Sequence, residues 1–380
     1  MWRNYLTVGI RALAKSRTYA AINILGLAIG MAACLLILLF VRDQYSYDRF
    51  YPDAERTYQI HTTNTDTETG AQDRMQMIPY GTLRAFLKDH PQVETASYAS
   101  NSQPVLLVNG EPRQLTITMA DRDFFEIFDI PFVAGDKSRA LADPSSIAIS
   151  ERTATSFFGT TDAIGKSITT LSKDGTTDYR VSAVFKDLPR NSHQQFGMVR
   201  LFTPQDLFPG QEASWGWFSG YGYLKLRPGA DAAVINAGLE AWKNRVAPRS
   251  QIGGQSVSQA SQSRYELVAL PDIYFSGANA SPAGRQGDRT TVLTFAVLAV
   301  LILVMACVNF VNLATARASQ RAREVSLRKV LGARRSQLVT QFLSETVMVA
   351  GVAMLLALAL VELSLPWLRS FLEADLAFTY

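Results

Sequence analysis

The sequence predicts an α-helical membrane protein with three transmembrane helices and a large α+β domain of two small lobes outside the membrane. Of its 380 residues, 48% are hydrophobic and only 18% are charged, whereas a soluble domain averages about 25% charged residues. Residues 18–41 and 290–316 form uncharged runs of 24 and 27 residues. Because about 20 apolar residues cross the hydrocarbon core as a helix, each run predicts one crossing, and most classes of soluble enzyme are excluded.

A third uncharged run, residues 346–361, is 16 residues long. It reaches the length of a membrane crossing if the helix begins near Phe342 and includes Glu345 at its edge. Glu362 and Pro366 would then mark the outer end of this third helix.

The distribution of charge predicts the orientation of these helices. Residues 1–17 carry four basic residues and no acid, and residues 317–341 carry seven basic residues against one acid. The span 42–289 instead holds 25 Lys and Arg against 28 Asp and Glu. Since basic loops stay in the cytoplasm, we expect the N-terminus and 317–341 inside and 42–289 outside. Nucleic-acid binding by the basic loop is a weaker alternative, because membrane runs flank it.

The apolar runs and charges together divide the chain into consecutive segments. The first run is longer than the roughly 7–15 apolar residues of a signal peptide and stays apolar beyond Cys34, which favours a retained anchor over a cleaved signal. For the extreme N-terminus, a frayed basic tail is the alternative to a surface helix. The predicted segments are a cytoplasmic amphipathic helix at 1–18, transmembrane helices at 19–41, 290–316 and 342–362, an outer domain at 42–289, a cytoplasmic loop at 317–341 and the start of an outer loop at 363–380.

Short strands and helices alternate within the outer domain, which predicts its α+β class. The pair Asn109-Gly110 favours a hairpin turn, and Asp121 is a candidate helix cap. The domain contains no cysteine, so no disulfide is expected to hold it. Strands are predicted at 105–108, 114–119, 146–149, 167–171, 179–185 and 221–226, and helices at 121–128, 151–158 and 232–246.

Two pairs of residues are candidates for packing between the membrane helices. Gly26 and Gly30 are spaced so that a second helix can approach closely, although this spacing also arises by chance in membrane helices. Asn309 and Asn312 either form hydrogen bonds across a helix interface or only mark the inner end of the second helix.

The loop at 317–341 is the most informative stretch of the chain. Glu324 and Arg328 form an i,i+4 pair in the favourable orientation. Gly332 can end one helix and Ser336 can cap the next, so two short helical pieces are expected to meet there. Docking of a partner protein and contact of a solvated basic face with lipid head groups both remain open from these residues alone.

No catalytic or metal-binding pattern is present, and we expect no enzyme activity and no cofactor. The three histidines, His61, His90 and His193, are far apart and lack the spacing of metal ligands. Gly159 and the Gly165-Lys-Ser sequence are separated by five residues, whereas a phosphate-binding loop requires four. The aromatic stretch Trp215, Trp217, Phe218, Tyr221 and Tyr223 is either a buried strand or a binding patch.

The chain resembles the permease subunits of MacB/FtsX-type ABC transporters over nearly its whole length. The longest matching motif runs from Asn309 to Glu345. The matching motifs are Asn309-Phe-Val-Asn-Leu-Ala-Thr-Ala-Arg-Ala-Ser319, Arg321-Ala-Arg-Glu-Val325, Arg328-Lys-Val-Leu-Gly-Ala333, Gln341-Phe-Leu-Ser-Glu345, Asn23-Ile-Leu-Gly-Leu-Ala-Ile-Gly30, Tyr47-Asp-Arg-Phe50, Asp123-Phe-Phe-Glu-Ile-Phe128, Phe158-Gly159 and Ile164-Gly165-Lys166.

This resemblance implies a non-catalytic permease in the bacterial inner membrane, with its outer domain in the periplasm. It implies a cytoplasmic ABC ATPase as partner, a second copy or a paralogue in the membrane, and in some assemblies a periplasmic adaptor, but no nucleic acid. ATP hydrolysis by the partner would move the periplasmic domain for export or mechanotransmission. The residues that the resemblance assigns to ATPase coupling are Arg321, Arg323, Glu324, Arg328, Lys329, Gly332, Ala333 and Arg334.

The chain departs from the family's usual pattern in two ways. The fourth transmembrane helix, and the repeat of the whole unit in large members, are not expected here, which suggests a chain cut short after the third helix. Some relatives act on cell-wall hydrolases, so a membrane-anchored periplasmic sensor or hydrolase regulator is the alternative function.

Overall fold

The structure is a computed structural model that describes residues 17–66, 68–108, 110–172, 175–252, 255–279, 285–320, 322–332 and 334–372. It divides into an outer unit, Ser46–Asp288, and a helical unit formed by the chain before and after it. The helices are α1 (Arg17–Gln44), α2 (Tyr80–Asp89), α3 (Phe124–Phe128), α4 (Glu151–Phe158), α5 (Ala232–Val246), α6 (Arg289–Gln320), α7 (Ala322–Val330) and α8 (Arg335–Leu372).

The strands among the described residues lie in the outer unit. They are β1 (Thr57–Thr65), β2 (Gln72–Met75), β3 (Ile78–Pro79), β4 (Val93–Ser102), β5 (Val105–Val108), β6 (Glu111–Gln114), β7 (Ile117–Ala120), β8 (Phe132–Ala134), β9 (Ser146–Ser150), β10 (Ser167–Ser172), β11 (Gly175–Phe185), β12 (Met198–Leu201), β13 (Phe218–Leu226), β14 (Arg249–Ile252), β15 (Gln255–Ser258) and β16 (Ser263–Ala269).

Three helices of the helical unit are long and apolar enough to cross a membrane. The candidate spans within the described residues are Ala20–Gln44, Arg289–Ala316 and Arg335–Leu368. Together with the mixed α/β outer unit they confirm the predicted fold class. The predicted amphipathic helix at 1–18 lies almost entirely outside the described residues.

The third of these helices departs from the prediction at both ends. It continues through Pro366 to Leu372, whereas the sequence placed its outer end at Glu362 and Pro366. A proline is tolerated within a membrane helix when neighbouring groups satisfy the carbonyl that it frees. The helix begins at Arg335, so Ser336 lies in its first turn and is not its cap. Instead, the Arg334 N–H donates to Gln337 Oε1 (3.1 Å) at this end.

One connected sheet runs through the outer unit in the order β16-β1-β13-β4-β7-β12-β9-β11-β10-β5-β6. β2, β3 and β8 pair with β1, β13 and β11 beside this path, and β14 and β15 form a separate hairpin. Neighbours are antiparallel except β9 with β11 and β7 with β12, which are parallel. The two predicted lobes are therefore joined by continuous strand pairing.

Each end of the sheet has its own hydrophobic core, and a third core lies between them. The core around β1, β13 and β16 contains Leu83, Phe86, Tyr98, Leu239 and Trp242. The core around β5, β9 and β11 contains Leu106, Ile147, Ile149, Ile168 and Val181. The middle core is rich in phenylalanine and includes Phe124, Phe125, Phe128, Phe185 and Phe196.

Most predicted elements of the outer domain are present, and one predicted cap is wrong. Helix α3 starts at Phe124, three residues later than expected. The Asp121 carboxylate instead accepts from the Tyr98 N–H (2.7 Å) and from Arg84 (2.8 Å). Burial raises the pKa of Asp121. A carboxylate with these partners ties α2 to β4, so it is not free to cap a helix.

The predicted helices at 151–158 and 232–246 are confirmed. Gly159 ends α4 with φ of 69°, a left-handed conformation that glycine adopts without strain. β6 ends at Gln114 and β7 is a separate strand, where the sequence predicted one strand over 114–119.

Candidate functional site

Helix α1 packs against α6 through its two predicted glycines. A Cβ on Gly30 would lie 2.5 Å from Ala306 Cβ, and a Cβ on Gly26 would lie 3.4 Å from Asn309 Nδ2. Carbon atoms cannot approach to 2.5 Å, so the separation of the two helices at Gly30 depends on the missing side chain. The structure therefore brings Gly26 and Gly30 against Asn309 and Ala306, and both Asn309 and Asn312 are exposed.

A different set of small residues on α1 contacts α8. Ala28 and Ala32 are buried and belong to clusters that contain Ala353 and Ala357 of α8. Neither alanine pair was singled out from the sequence, although the four-residue spacing is the same as that of the glycines. Helix α1 is thus the element that contacts both other candidate membrane helices.

The order of contacts along α1 gives the relative directions of the three helices. Gly26 and Gly30 meet Asn309 and Ala306, in reverse order along α6. Further along, the rings of Phe40 and Phe295 are 5.4 Å apart and nearly perpendicular. Helix α6 therefore runs antiparallel to α1. The alanine contacts advance together along α1 and α8, so these two helices are parallel.

The predicted coupling residues fall on α7 and on the turn that follows it. Gly332, between α7 and α8, has φ of 86°, a left-handed conformation that glycine adopts without strain. Lys329 and Arg334 are exposed. Arg321 and Ala333, and the side chains of Arg323, Glu324 and Arg328, lie outside the described part of the chain.

An apolar strip is exposed on the same segment. Leu327, Val330 and Leu331 keep 65%, 86% and 83% of their surface accessible. Residues of this type are usually buried, and a group of them between basic residues is typical of a surface that another molecule covers. The predicted docking turn is therefore also the place where this apolar surface is displayed.

The first residues of the outer unit take part in a buried polar network. Asp48 is fully buried, with φ of 58°. Its carboxylate accepts from Ser192 Oγ (3.1 Å) and from the His193 N–H (3.1 Å). His193 Nδ1 lies 3.0 Å from Asp48 Oδ1, at an angle outside hydrogen-bond geometry, and Nε2 lies 2.9 Å from the Tyr223 hydroxyl.

Sequence reasoning missed this network. It considered His193 only as a metal ligand and excluded it, because the three histidines are far apart in the sequence. The available signal was the motif Tyr47-Asp-Arg-Phe50, which places a carboxylate directly after a membrane helix. Its partner could not be found from spacing, because Asp48 and His193 are 145 positions apart.

The other candidates from the sequence are structural. Trp215, Tyr221 and Tyr223 are buried, whereas Trp217 is partly exposed and stacks on Phe208. In the stretch that resembles a phosphate-binding loop, the Gly165 N–H donates to the carbonyl of Val181 (2.8 Å). This amide is used within the fold and is not directed at a ligand. Among the residues that the structure describes, no group of His, Cys, Asp and Glu could hold a metal ion.

Comparison with known proteins decides the family. The profile of the MacB-like periplasmic core domain matches residues 20–242, and that of the FtsX-like permease C-terminal region matches residues 296–380. This chain belongs to the MacB/FtsX family of ABC transporter permeases. The resemblance predicted from its motifs is therefore confirmed, and this MacB/FtsX permease is a membrane protein.

Curated relatives of the permease are longer than this chain. The macrolide export ATP-binding/permease protein MacB of Escherichia coli is 22% identical, covering 94% of this chain and 53% of that protein. MacB of Campylobacter jejuni is 35% identical over 72 residues, which is 19% of this chain and 11% of that protein. The chain thus spans about half the length of the Escherichia coli relative.

Solved structures also resemble the permease at low sequence identity. A permease-protein domain from Porphyromonas gingivalis is 20% identical with a TM-score of 0.48, covering 65% of this chain and 98% of that one. The periplasmic region of MacB from Actinobacillus actinomycetemcomitans is 11% identical with a TM-score of 0.40, covering 60% of this chain and 95% of that one.

Proposed function

We propose that this chain is the non-catalytic permease subunit of an ABC transporter in the bacterial inner membrane. An ABC ATPase in the cytoplasm docks on 317–341, and its hydrolysis of ATP moves the membrane helices and then the periplasmic domain, for export or mechanotransmission. A second permease copy or a paralogue completes the membrane part. The observation that carries the coupling proposal is the exposed apolar strip, Leu327, Val330 and Leu331, between basic residues on α7 and its turn.

The arrangement of the helices supports transmission from this segment. Helix α7 lies between α6 and α8 in the chain, so a partner bound there acts on both helices at their adjoining ends. Both helices contact α1, which leads into the outer domain. Rigid helices in contact can carry a displacement from the docking segment to the outer domain, provided that the helices have two arrangements and the partner favours one of them.

A pull-down tests the docking site. The tagged chain is extracted from its native membrane in mild detergent, and bound proteins are identified and quantified. We expect an ABC ATPase with the parent chain and at least a tenfold loss with Glu324→Lys combined with Gly332→Pro. Gly332→Ala is a milder variant, because no atom lies within 4 Å of the added Cβ and only the positive φ opposes it.

Gly351→Ala is the matched control for that experiment. Gly351 lies within α8, has no positive φ and also has no atom within 4 Å of an added Cβ. It should bind the ATPase as the parent does. Recovery of the ATPase in full with the double variant would refute the docking site. Absence of any ATPase from the parent would favour a sensor or a regulator of a cell-wall hydrolase.

A further inference from the structure

Both chain segments that connect the outer unit to the helical unit meet at one place inside the outer unit. We call this place the chain junction; it consists of residues 46–51, 190–193, 274 and 285–287. Residues 46–51 follow α1 in the chain, and residues 285–287 precede α6. The segment 190–193 contacts both of them.

Residues 190–193 hold the segment after α1 by hydrogen bonds. The Asp48 N–H donates to the Asn191 carbonyl (2.9 Å), and Asn191 Nδ2 donates to the Ser46 carbonyl (3.0 Å). The Asp48 carboxylate accepts from Ser192 and His193, as described above. Asp48 has a left-handed backbone conformation, which aspartate adopts at modest cost. Because its side chain is buried and hydrogen-bonded, Asp48 fixes the turn by which the chain enters the domain.

The segment before α6 reaches the same residues from another direction. The Arg285 N–H donates to the carbonyl of His193 (2.9 Å), and the Gly287 N–H donates to the carbonyl of Tyr274 (2.9 Å). The ring of Tyr274 in turn stacks on Tyr47, with centroids 3.6 Å apart and an interplanar angle of 13°. A Cβ on Gly287 would lie 2.2 Å from the Tyr274 ring, so this contact requires glycine.

The junction is also joined to the central sheet. His193 Nε2 contacts the hydroxyl of Tyr223, which lies on β13 between β1 and β4. Tyr51 contacts Ser192 Oγ at 3.4 Å and packs its ring against Phe128 of the middle core. Displacing residues 46–51 would separate the buried Asp48 carboxylate from the donors on Ser192 and His193, which is unfavourable for a buried charge. The segment and the sheet are therefore expected to move together.

We propose that the chain junction is the rigid link that passes motion of α1 and α6 to the outer domain, with Asp48, His193 and Tyr274 as its positioning residues. This proposal rests on the proposed function, since it names the residues through which the transporter would move its periplasmic domain. The junction has no role in binding or hydrolysing ATP.

The test measures movement and ATP hydrolysis in the same complex. The full chain, with Cys34→Ala and Cys307→Ala, is purified with its ATPase in nanodiscs and spin-labelled at Val234→Cys, so that one label lies on the outer unit of each of the two permease copies. Val234 is exposed and lies on α5 of the outer unit. Pulsed electron-spin resonance then compares the distance distributions with ADP and with trapped ATP.

We expect the parent to change its distance distribution with ATP. Asp48→Ala and Tyr274→Ala should reduce the ATP-dependent population shift at least tenfold while ATP hydrolysis persists. Asp48→Asn should retain the shift, because asparagine tolerates the left-handed conformation and its amide oxygen still accepts from Ser192 and His193. Tyr274→Phe should also retain it, because the ring stack remains.

A second pair of variants distinguishes loss of the junction contact from misfolding of the domain. Gly287→Ala pushes on the Tyr274 ring from a partly exposed segment and should also reduce the shift, whereas Gly238→Ala on α5, where an added Cβ meets nothing, should not. If the parent moves and all folded junction variants move equally, the junction proposal is wrong and the transporter proposal stands. If the parent itself does not move with ATP, the proposed mechanotransmission fails, and the junction proposal fails with it.

Discussion

A buried histidine in the outer domain makes its stability depend on pH. His61 on β1 is almost fully buried, and its Nε2 lies 2.7 Å from Gln59 Oε1. Burial, with a smaller effect of the Arg74 charge, lowers the pKa of His61 to about 3. The folded protein therefore holds His61 neutral at pH values where the unfolded chain, with a histidine pKa of about 6.5, binds a proton.

The consequence is a loss of stability in mild acid. Because the folded pKa is depressed, stability falls as pH decreases from about 6.5 towards 3, by about 1.4 kcal/mol per pH unit. We expect His61 alone to lower the free energy of unfolding by about 2 kcal/mol between pH 7 and pH 5. Urea unfolding of the full chain in detergent, followed by tryptophan fluorescence, measures this.

His61→Gln provides the comparison, because glutamine keeps a polar group but cannot titrate. The variant should lose about 2 kcal/mol less than the parent over the same pH interval. An identical loss in both proteins would show that His61 is not held neutral in the folded state.

At the scale of elements, the contact between α1 and α6 depends on one pair of small residues. In Gly30→Ala, the new methyl carbon would lie 2.5 Å from the methyl carbon of Ala306, which is closer than two carbon atoms can approach. We expect a cost of about 1–3 kcal/mol from overpacking, measured as a lower SDS concentration at the midpoint of helix unfolding in reconstituted protein.

The partner residue allows a compensating change. Ala306→Gly removes the opposing methyl group, so the double variant Gly30→Ala with Ala306→Gly should recover most of the lost stability. Gly351→Ala, which meets no neighbour, should leave the midpoint near that of the parent. Additive losses in the double variant, without recovery, would contradict the close approach at this site.

The sequence predicts elements well where the signal is local. Uncharged runs give the three long helices, and Gly159 gives the end of α4. Pro366 gave a wrong helix end, because proline usually ends a helix in a soluble protein but is tolerated within a long apolar helix. The partners of Asp121 and Asp48 could not be predicted, since strand order determines which distant residues meet and no local pattern encodes that order.

At the scale of the whole molecule, the charge distribution predicts which parts face the cytoplasm. Glu111 and Lys329 are both exposed. The prediction places Glu111 outside the membrane and Lys329 in the cytoplasm. In a chain with Cys34→Ala and Cys307→Ala, a membrane-impermeant maleimide should label Glu111→Cys from the periplasmic side. It should reach Lys329→Cys only after the inner membrane is opened, and the reverse pattern would overturn the proposed orientation.

The strand order also has a consequence for how the protein is made. β1 pairs with β13 and with β16, and Tyr58 lies opposite Ala269. The edge of β1 that pairs with β16 can therefore be covered only after about 200 further residues have been synthesised. Contacts of such long range form slowly, and an unpaired strand edge favours aggregation. We therefore expect the outer domain to be prone to aggregation until its last strand has been made.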